Sequence, residues 1–251
     1  MTLKLTNFEI KFSSDFTICG EYEGNMNSGK SVIFSHGFGV KRDSRGMFKE
    51  IGDILKDKYL VIRFDYNKIL EDENVTYVYP LGMQAEILRK VMNFTRDKLN
   101  AKELNIIAHS FGCLIVGELF PRAERIVLNA PPMESPYKEM IEHFSSRKET
   151  ELNENGLSKI KRSDGSWTYI GSDFWNEVKS TEPVKMYLNL SKTSKTTFIR
   201  ALKDERIRGG DYGKIESEEN IEYVELVADH NFSGLARQIW LDKLKEILVL
   251  K

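Results

Sequence analysis

Cysteine is nearly absent from this chain: 251 residues hold two, Cys19 and Cys113. Two thiols so far apart in sequence make neither a disulfide framework nor a metal-binding pair, and both are expected to be small core residues in a reducing compartment. Charge of one sign is lacking too. Lys and Arg number 37 against 38 Asp and Glu, a formal net charge of -1. That balance excludes the basic excess by which nucleic acid or an anionic membrane is usually gripped. No stretch approaches the roughly 18 consecutive apolar residues of a spanning helix. The opening run from Met1 to Phe12 alternates apolar and polar residues, without the unbroken apolar block of a secretory signal. Internal repeats and low-complexity tracts are missing as well. These absences predict a soluble cytoplasmic protein with no nucleic-acid and no membrane partner.

What is present is a core. Hydrophobic residues make up 41% of the chain, and its length suits one α/β domain, or one core with a modest insertion. Leu3, Leu5, Phe8, Ile10 and Phe12 recur with a period near two, so the chain opens with a strand, and Asp15–Tyr22 reads as its hairpin partner. Short apolar runs follow at 31–35, 59–64, 104–108, 125–130, 197–202 and 221–227. Between them lie helical periods, at Met47–Leu55, Pro80–Leu99 and 113–120, with a closing helix from about Gly234 to Leu250. Strands alternating with helices predict a mostly parallel sheet covered on both faces, whose strands read as continuous apolar runs because both faces are buried. Between Met133 and Ser194 the rhythm breaks into Asn, Gly, charges and scattered aromatics. This stretch reads as an insertion folded over the sheet, so residues 1–132 and 195–251 are the expected core and 133–194 a cap.

One pentapeptide carries chemistry. Ala108-His109-Ser110-Phe111-Gly112 follows a predicted strand and precedes a predicted helix. It matches the nucleophile pattern Gly-x-Ser-x-Gly with Ala in the first place. Small residues flanking the serine let strand and helix pack closely, and the sharp turn lifts the hydroxyl clear of the sheet. A serine hydroxyl is a poor nucleophile at neutral pH and needs a base, which in turn needs an orienting acid. Only four histidines are available, His36, His109, His143 and His230. His230 stands just past the last strand, where a loop can reach over the carboxyl edge of the sheet. Asp204 stands just past the strand before it, and the order Ser, Asp, His is the one expected. Glu205 and Asp229 compete for the acid's place. A tetrahedral intermediate also needs backbone N–H donors. Phe111, after the nucleophile, and Phe38, in His36-Gly37-Phe38-Gly39, are the expected pair. His36 is read as structural, and His109 as packing or lining the pocket entrance.

These stretches, with Arg63-Phe-Asp-Tyr66 and Asp229-His-Asn-Phe232, resemble the α/β-hydrolase superfamily, and within it the capped bacterial esterases similar to cinnamoyl and feruloyl esterases and short acyl-peptidase-like hydrolases. The resemblance runs in family order over nearly the whole chain. It implies an eight-stranded core with a cap after the sixth strand, a buried structural Asp65, and no cofactor or metal. The sequence departs from the pattern at Ala108 and Ala201, where glycine is usual, and at 67–75, where a glycine-rich loop is usual. The cap aromatics Trp167, Phe174 and Trp175 would either wall an acyl pocket, with His109, or anchor the cap. The expected function is hydrolysis of a small-molecule acyl ester through an acyl-enzyme. Acyl-peptidase or thioesterase chemistry on the same triad is the alternative, as is a non-catalytic ligand-binding protein on this scaffold, in a monomer or homodimer.

Overall fold

Buried apolar runs dominate the centre of the chain, and in the computed structural model they lie side by side. The structure describes residues 2–207 and 209–250. Its main sheet is made of β1 (Thr2–Lys11), β2 (Thr17–Asn25), β3 (Lys30–Ser35), β4 (Leu60–Phe64), β7 (Glu103–His109), β8 (Arg125–Asn129), β11 (Lys195–Ala201) and β12 (Ile221–Leu226). A second, smaller sheet uses β5 (Lys68–Leu70), β6 (Val75–Val78), β9 (Ser158–Lys161) and β10 (Trp167–Ile170). The helices are α1 (Met47–Leu55), α2 (Leu81–Asp97), α3 (Phe111–Leu119), α4 (Tyr137–Ser145), α5 (Ser172–Lys179), α6 (Pro183–Leu190), α7 (Gly213–Glu216) and α8 (Leu235–Lys245).

The main sheet has the order β1-β2-β4-β3-β7-β8-β11-β12. β1 and β2 form an antiparallel hairpin, β2 meets β4 antiparallel, and every neighbour from β4 to β12 is parallel. Helices α1 and α8 cover one face, where Phe48, Ile51, Trp240 and Leu244 pack on Val32, Phe34, Ile107 and Val127. On the other face lie α2, α3 and α6. Helix α3 is buried from Phe111 to Gly117, since the sheet lies on one side of it and α2 and α6 on the others. Strand order reverses at β3, which has β4 on one side and β7 on the other. At such a reversal the loops leaving adjacent strands diverge and open a crevice at the carboxyl edge. The loops leaving β3, β7, β11 and β12 there carry Gly37, Ser110, Asp204 and His230.

Two stretches are more ordered than their composition suggests. The polar run 67–75 contains β5 and leads into β6, and β6 pairs in parallel with β10 from the 133–194 segment. Strand β10 then pairs antiparallel with β9. The pieces that read as loop and as irregular insertion thus complete each other's backbone hydrogen bonds, a pairing with no local sequence signal because its partners lie about ninety residues apart. Val78, Ile160 and Ile170 are buried on one side of this sheet, and Val75 is buried on the other.

The segment 133–194 is also fastened to the core by side chains. Tyr187 donates from its hydroxyl to the Pro132 carbonyl (3.0 Å). Glu177 on α5 accepts from the backbone N–H of Gly82 (2.8 Å). Gly82 lies in the first turn of α2, whose capping position is Pro80, a residue with no side-chain acceptor. A carboxylate from another helix therefore does the capping, and its charge opposes the positive end of the α2 dipole. Replacing Glu177 by Ala should lower stability by about 1 kcal/mol, read as a lower urea midpoint with unchanged slope; a midpoint equal to wild type would remove this fastening from the account.

Candidate active site

Strand β7 ends at His109, and the chain must turn at once to start α3 at Phe111. Ser110 makes that turn with φ 56° and ψ -127°, a conformation costing a non-glycine residue roughly 1–3 kcal/mol. The neighbours hold it. The Ser110 N–H donates to the Asn129 carbonyl and the Cys113 N–H to the Ser110 carbonyl, both at 2.9 Å. A Cβ on Gly112 would stand 2.2 Å from the Ser35 carbonyl oxygen, so only glycine lets α3 begin this close to the end of β3. The opposite small position, Ala108, is buried between Ser35 and Leu128 in the sheet, and its methyl is accommodated there.

Asn129 reinforces the turn from β8. Its side-chain amide donates to the Ala108 carbonyl (2.8 Å), and its side-chain oxygen accepts from the Trp240 indole (2.7 Å). The last long helix is thereby tied to the strand that presents the serine. Trp240 stacks in turn on Phe232, with ring planes 8° apart, two residues beyond His230.

Three predicted residues meet at this edge. His230 Nε2 lies 2.9 Å from Ser110 Oγ, and His230 Nδ1 lies 2.7 Å from Asp204 Oδ2. The other carboxylate oxygen of Asp204 accepts from the backbone N–H groups of Arg206 and Ile207, both at 2.8 Å. Burial works to raise the Asp204 pKa, but the hydrogen bond and charge of His230 and the two amides outweigh it, and the net shift is downward. An ionised Asp204 accepts a hydrogen bond from Nδ1–H, which leaves Nε2 as the acceptor for the serine hydroxyl. The rival acids are otherwise engaged. Asp229 Oδ1 accepts from the Ser233 N–H (2.7 Å) and Glu205 Oε2 from the His230 N–H (3.2 Å).

The other histidines hold the frame. His36 Nε2 accepts from the Tyr66 N–H (3.1 Å), so Nδ1 carries the proton and donates to the Gly37 carbonyl (2.9 Å). That ring joins the loop after β3 to the loop after β4. Asp65 is buried and pairs with Arg42 through its side chain and backbone N–H. His109 is buried behind His230, and its Nε2 donates to the His230 carbonyl (2.8 Å). Its ring lies 5.0 Å from the His230 ring, part of the floor under the base. Burial first, and the nearby His230 charge second, push its pKa down to about 3. His143 lies elsewhere, on α4. The support given by His109 and Asn129 has no sequence signal beyond their places at the ends of β7 and β8.

Gly37 brings the loop after β3 against the serine: a Cβ there would stand 3.3 Å from Ser110 Cβ. Among the described residues, neither the Phe38 nor the Phe111 amide has a hydrogen-bond acceptor. The Phe38 and Phe111 rings are 6.0 Å apart, and Phe174 packs on both, at 5.6 and 5.5 Å. Phe144 adds to the cluster at 5.6 Å from Phe38, and Trp175 backs it with its indole donating to Ser158 Oγ (3.0 Å). Phe174 and Trp175 are therefore buried packing between the 133–194 segment and the two loops. Trp167 stands apart on β10 beneath the Lys161 ammonium, 4.4 Å from its ring centre. Phe144 is the buried residue of α4, a member that its scattered sequence context did not mark out.

Among the described residues no group of three or more His, Cys, Asp or Glu side chains is placed to hold a metal ion, and no helix is long and apolar enough to cross a membrane. No family model and no curated protein matches the sequence. Solved structures do match. Est1E from Butyrivibrio proteoclasticus aligns with a TM-score of 0.70 at 13% identity, covering 97% of this chain and 98% of that one. The esterase Pf2001 from Pyrococcus furiosus aligns at 0.67 and 16% identity, over 98% and 92% of the two chains. The α/β hydrolase GrgF from Penicillium sp. sh18 aligns at 0.68 and 15% identity, over 97% of each. With strand order, reversal point and loop placement already in view, this similarity over whole chains shows that the protein has the α/β-hydrolase fold.

Proposed function

We propose that the protein is a serine hydrolase of carboxylic esters acting through an acyl-enzyme. The observation that carries this reading is the hydrogen-bonded chain from Ser110 through His230 to Asp204, with the serine held in a strained turn. His230 removes the hydroxyl proton as Ser110 Oγ attacks the carbonyl carbon, and the same proton passes to the departing alcohol. Asp204 keeps the ring in the required tautomer and stabilises the imidazolium. The Phe38 and Phe111 amides, which have no acceptor among the described residues, receive the oxyanion. Water deprotonated by His230 then releases the acid and restores Ser110. No step needs a cofactor. The esterases among the matching structures support ester cleavage over the peptide and thioester alternatives. The 133–194 segment acts as a cap: its Phe144 and Phe174 close over the loops that carry the oxyanion donors.

A fluorophosphonate probe should label wild-type protein, and labelling should vanish in Ser110→Ala and His230→Ala. Asp204→Asn should lower kcat on p-nitrophenyl esters by roughly a thousandfold or more, because the tautomer is lost while the geometry stays. Unlabelled, folded wild-type protein would sink the esterase reading and favour ligand binding without catalysis.

His109 gives the site a pH-dependent contribution to stability. Its pKa is about 3 in the folded protein, against roughly 6.5 for an unfolded histidine. Between those values the unfolded chain binds the extra proton, so stability falls as pH drops below the unfolded value. One such group contributes a slope of up to about 1.4 kcal/mol per pH unit. His109→Gln keeps a donor for the His230 carbonyl and removes the titration. Urea denaturation from pH 7 to pH 4 should show a shallower decline for this variant; parallel curves would exclude the linkage.

A further inference from the structure

Four phenylalanine rings meet beside the serine. Phe38 follows Gly37, where a Cβ would stand 3.3 Å from Ser110 Cβ, and Phe111 is the residue after Ser110. Their rings lie 6.0 Å apart. Phe174 of α5 fits against both, 5.6 Å from Phe38 and stacked on Phe111 at 5.5 Å with planes 25° apart. Phe144 of α4 lies 5.6 Å from Phe38, and Trp175 stands behind Phe144 and Phe174 at 6.4 and 5.5 Å. Phe174 is fully buried, and Phe111, Phe144 and Trp175 are nearly so. Ring centres at roughly 5–6 Å are in contact, so the cluster is packed rather than hollow. Three cavities of about 320, 360 and 460 Å³ open elsewhere, and none of them is lined by Ser110, His230 or any of these rings.

The chemistry places the acyl chain against this cluster. A tetrahedral carbon on Ser110 carries four groups, of which one is Oγ itself. The oxyanion lies between the Phe38 and Phe111 amides, and the departing oxygen faces His230 Nε2, which returns its proton. The fourth group, the acyl chain, is left on the side of the oxyanion donors. Covalent geometry keeps each donor's ring within a side chain's length of its own amide. Ser110 is part-exposed whereas Phe111, Phe144 and Phe174 are buried, so solvent reaches the serine from a side other than theirs. A chain that grows toward the rings must displace them, and an interior packed at crystal density resists even one added methylene.

We propose that the rings of Phe38, Phe111, Phe144 and Phe174 form a stop for the acyl chain, and that the substrate is an acetyl or propionyl ester. The proposal rests on the esterase reading. Phe174 sets the depth of the stop, because it packs on both donor residues from the 133–194 segment. An acid as bulky as cinnamic acid is excluded by the same rings.

The test measures kcat/KM on p-nitrophenyl acetate, propionate, butyrate, hexanoate and cinnamate. With the leaving group constant, the series reads the acyl side alone. Acetate or propionate should exceed hexanoate and cinnamate by roughly tenfold or more. Phe174→Ala should raise the hexanoate-to-acetate ratio by roughly tenfold. Phe174→Leu, which keeps more of the packing, should raise it by less, and it decides alone where the alanine variant does not fold. Glu177→Ala loosens the same segment through its bond to Gly82, away from the rings, and should leave the ratio unchanged. Wild-type rates on hexanoate or cinnamate that match those on the short esters would overturn the stop and leave the esterase reading intact. So would a ratio that does not move in the folded Phe174 variants, or one that moves as far in Glu177→Ala. Protein that takes the fluorophosphonate label but turns over no ester of the series would overturn the short-acyl assignment and keep the activated serine. Neither label nor turnover would overturn the esterase reading, and the stop with it.

Discussion

Everything at the carboxyl edge depends on how closely α3 begins against the end of β3. Gly112 allows that approach, and the Ser35 and His36 carbonyls leave no space for a side chain there. The close contact forces the sharp turn at Ser110, and the turn aims the hydroxyl at His230. The strain is met by contacts that converge on one buried side chain. Asn129 takes the Ser110 N–H on its backbone carbonyl, and with its side chain bonds Ala108 and Trp240. Breaking that arrangement would leave several polar groups of the core without partners in a dry environment, which is why a strained serine can persist.

His230 is placed by the same logic. Asp204 uses one oxygen on the ring and the other on its own loop, so the acid cannot swing without losing two amide bonds. The floor under His230 is another histidine, kept neutral by burial, so it places no positive charge beside the His230 ring. Glu205 completes the support through the His230 N–H.

The small sheet is a hybrid. Half of it comes from 67–78 and half from 158–170, so the stretch after β4 and the 133–194 segment form one structural unit. Glu177 capping α2 and Tyr187 bonded to Pro132 bind that unit to the core at two further points. The rings of Phe38, Phe111, Phe144 and Phe174 pack together between that unit and the loops next to Ser110.

The sequence by itself determined the sheet and the set Ser110, Asp204 and His230 that the fold brings together. Continuous apolar runs predict strands at 31–35, 59–64 and 104–108, and the structure has them at 30–35, 60–64 and 103–109, buried on both faces. Ser110, Asp204 and His230 are legible because each stands at the end of a core strand, where chemistry requires those side chains in that order. Tertiary structure alone decided the rest. The pairing of β6 with β10 and the tie from Asn129 to Trp240 join residues far apart in the chain. A polar stretch such as 67–75 carries no period that reveals its partner strand. Such contacts are set by how the loops fold back over the sheet, and that depends on packing rather than on any local pattern.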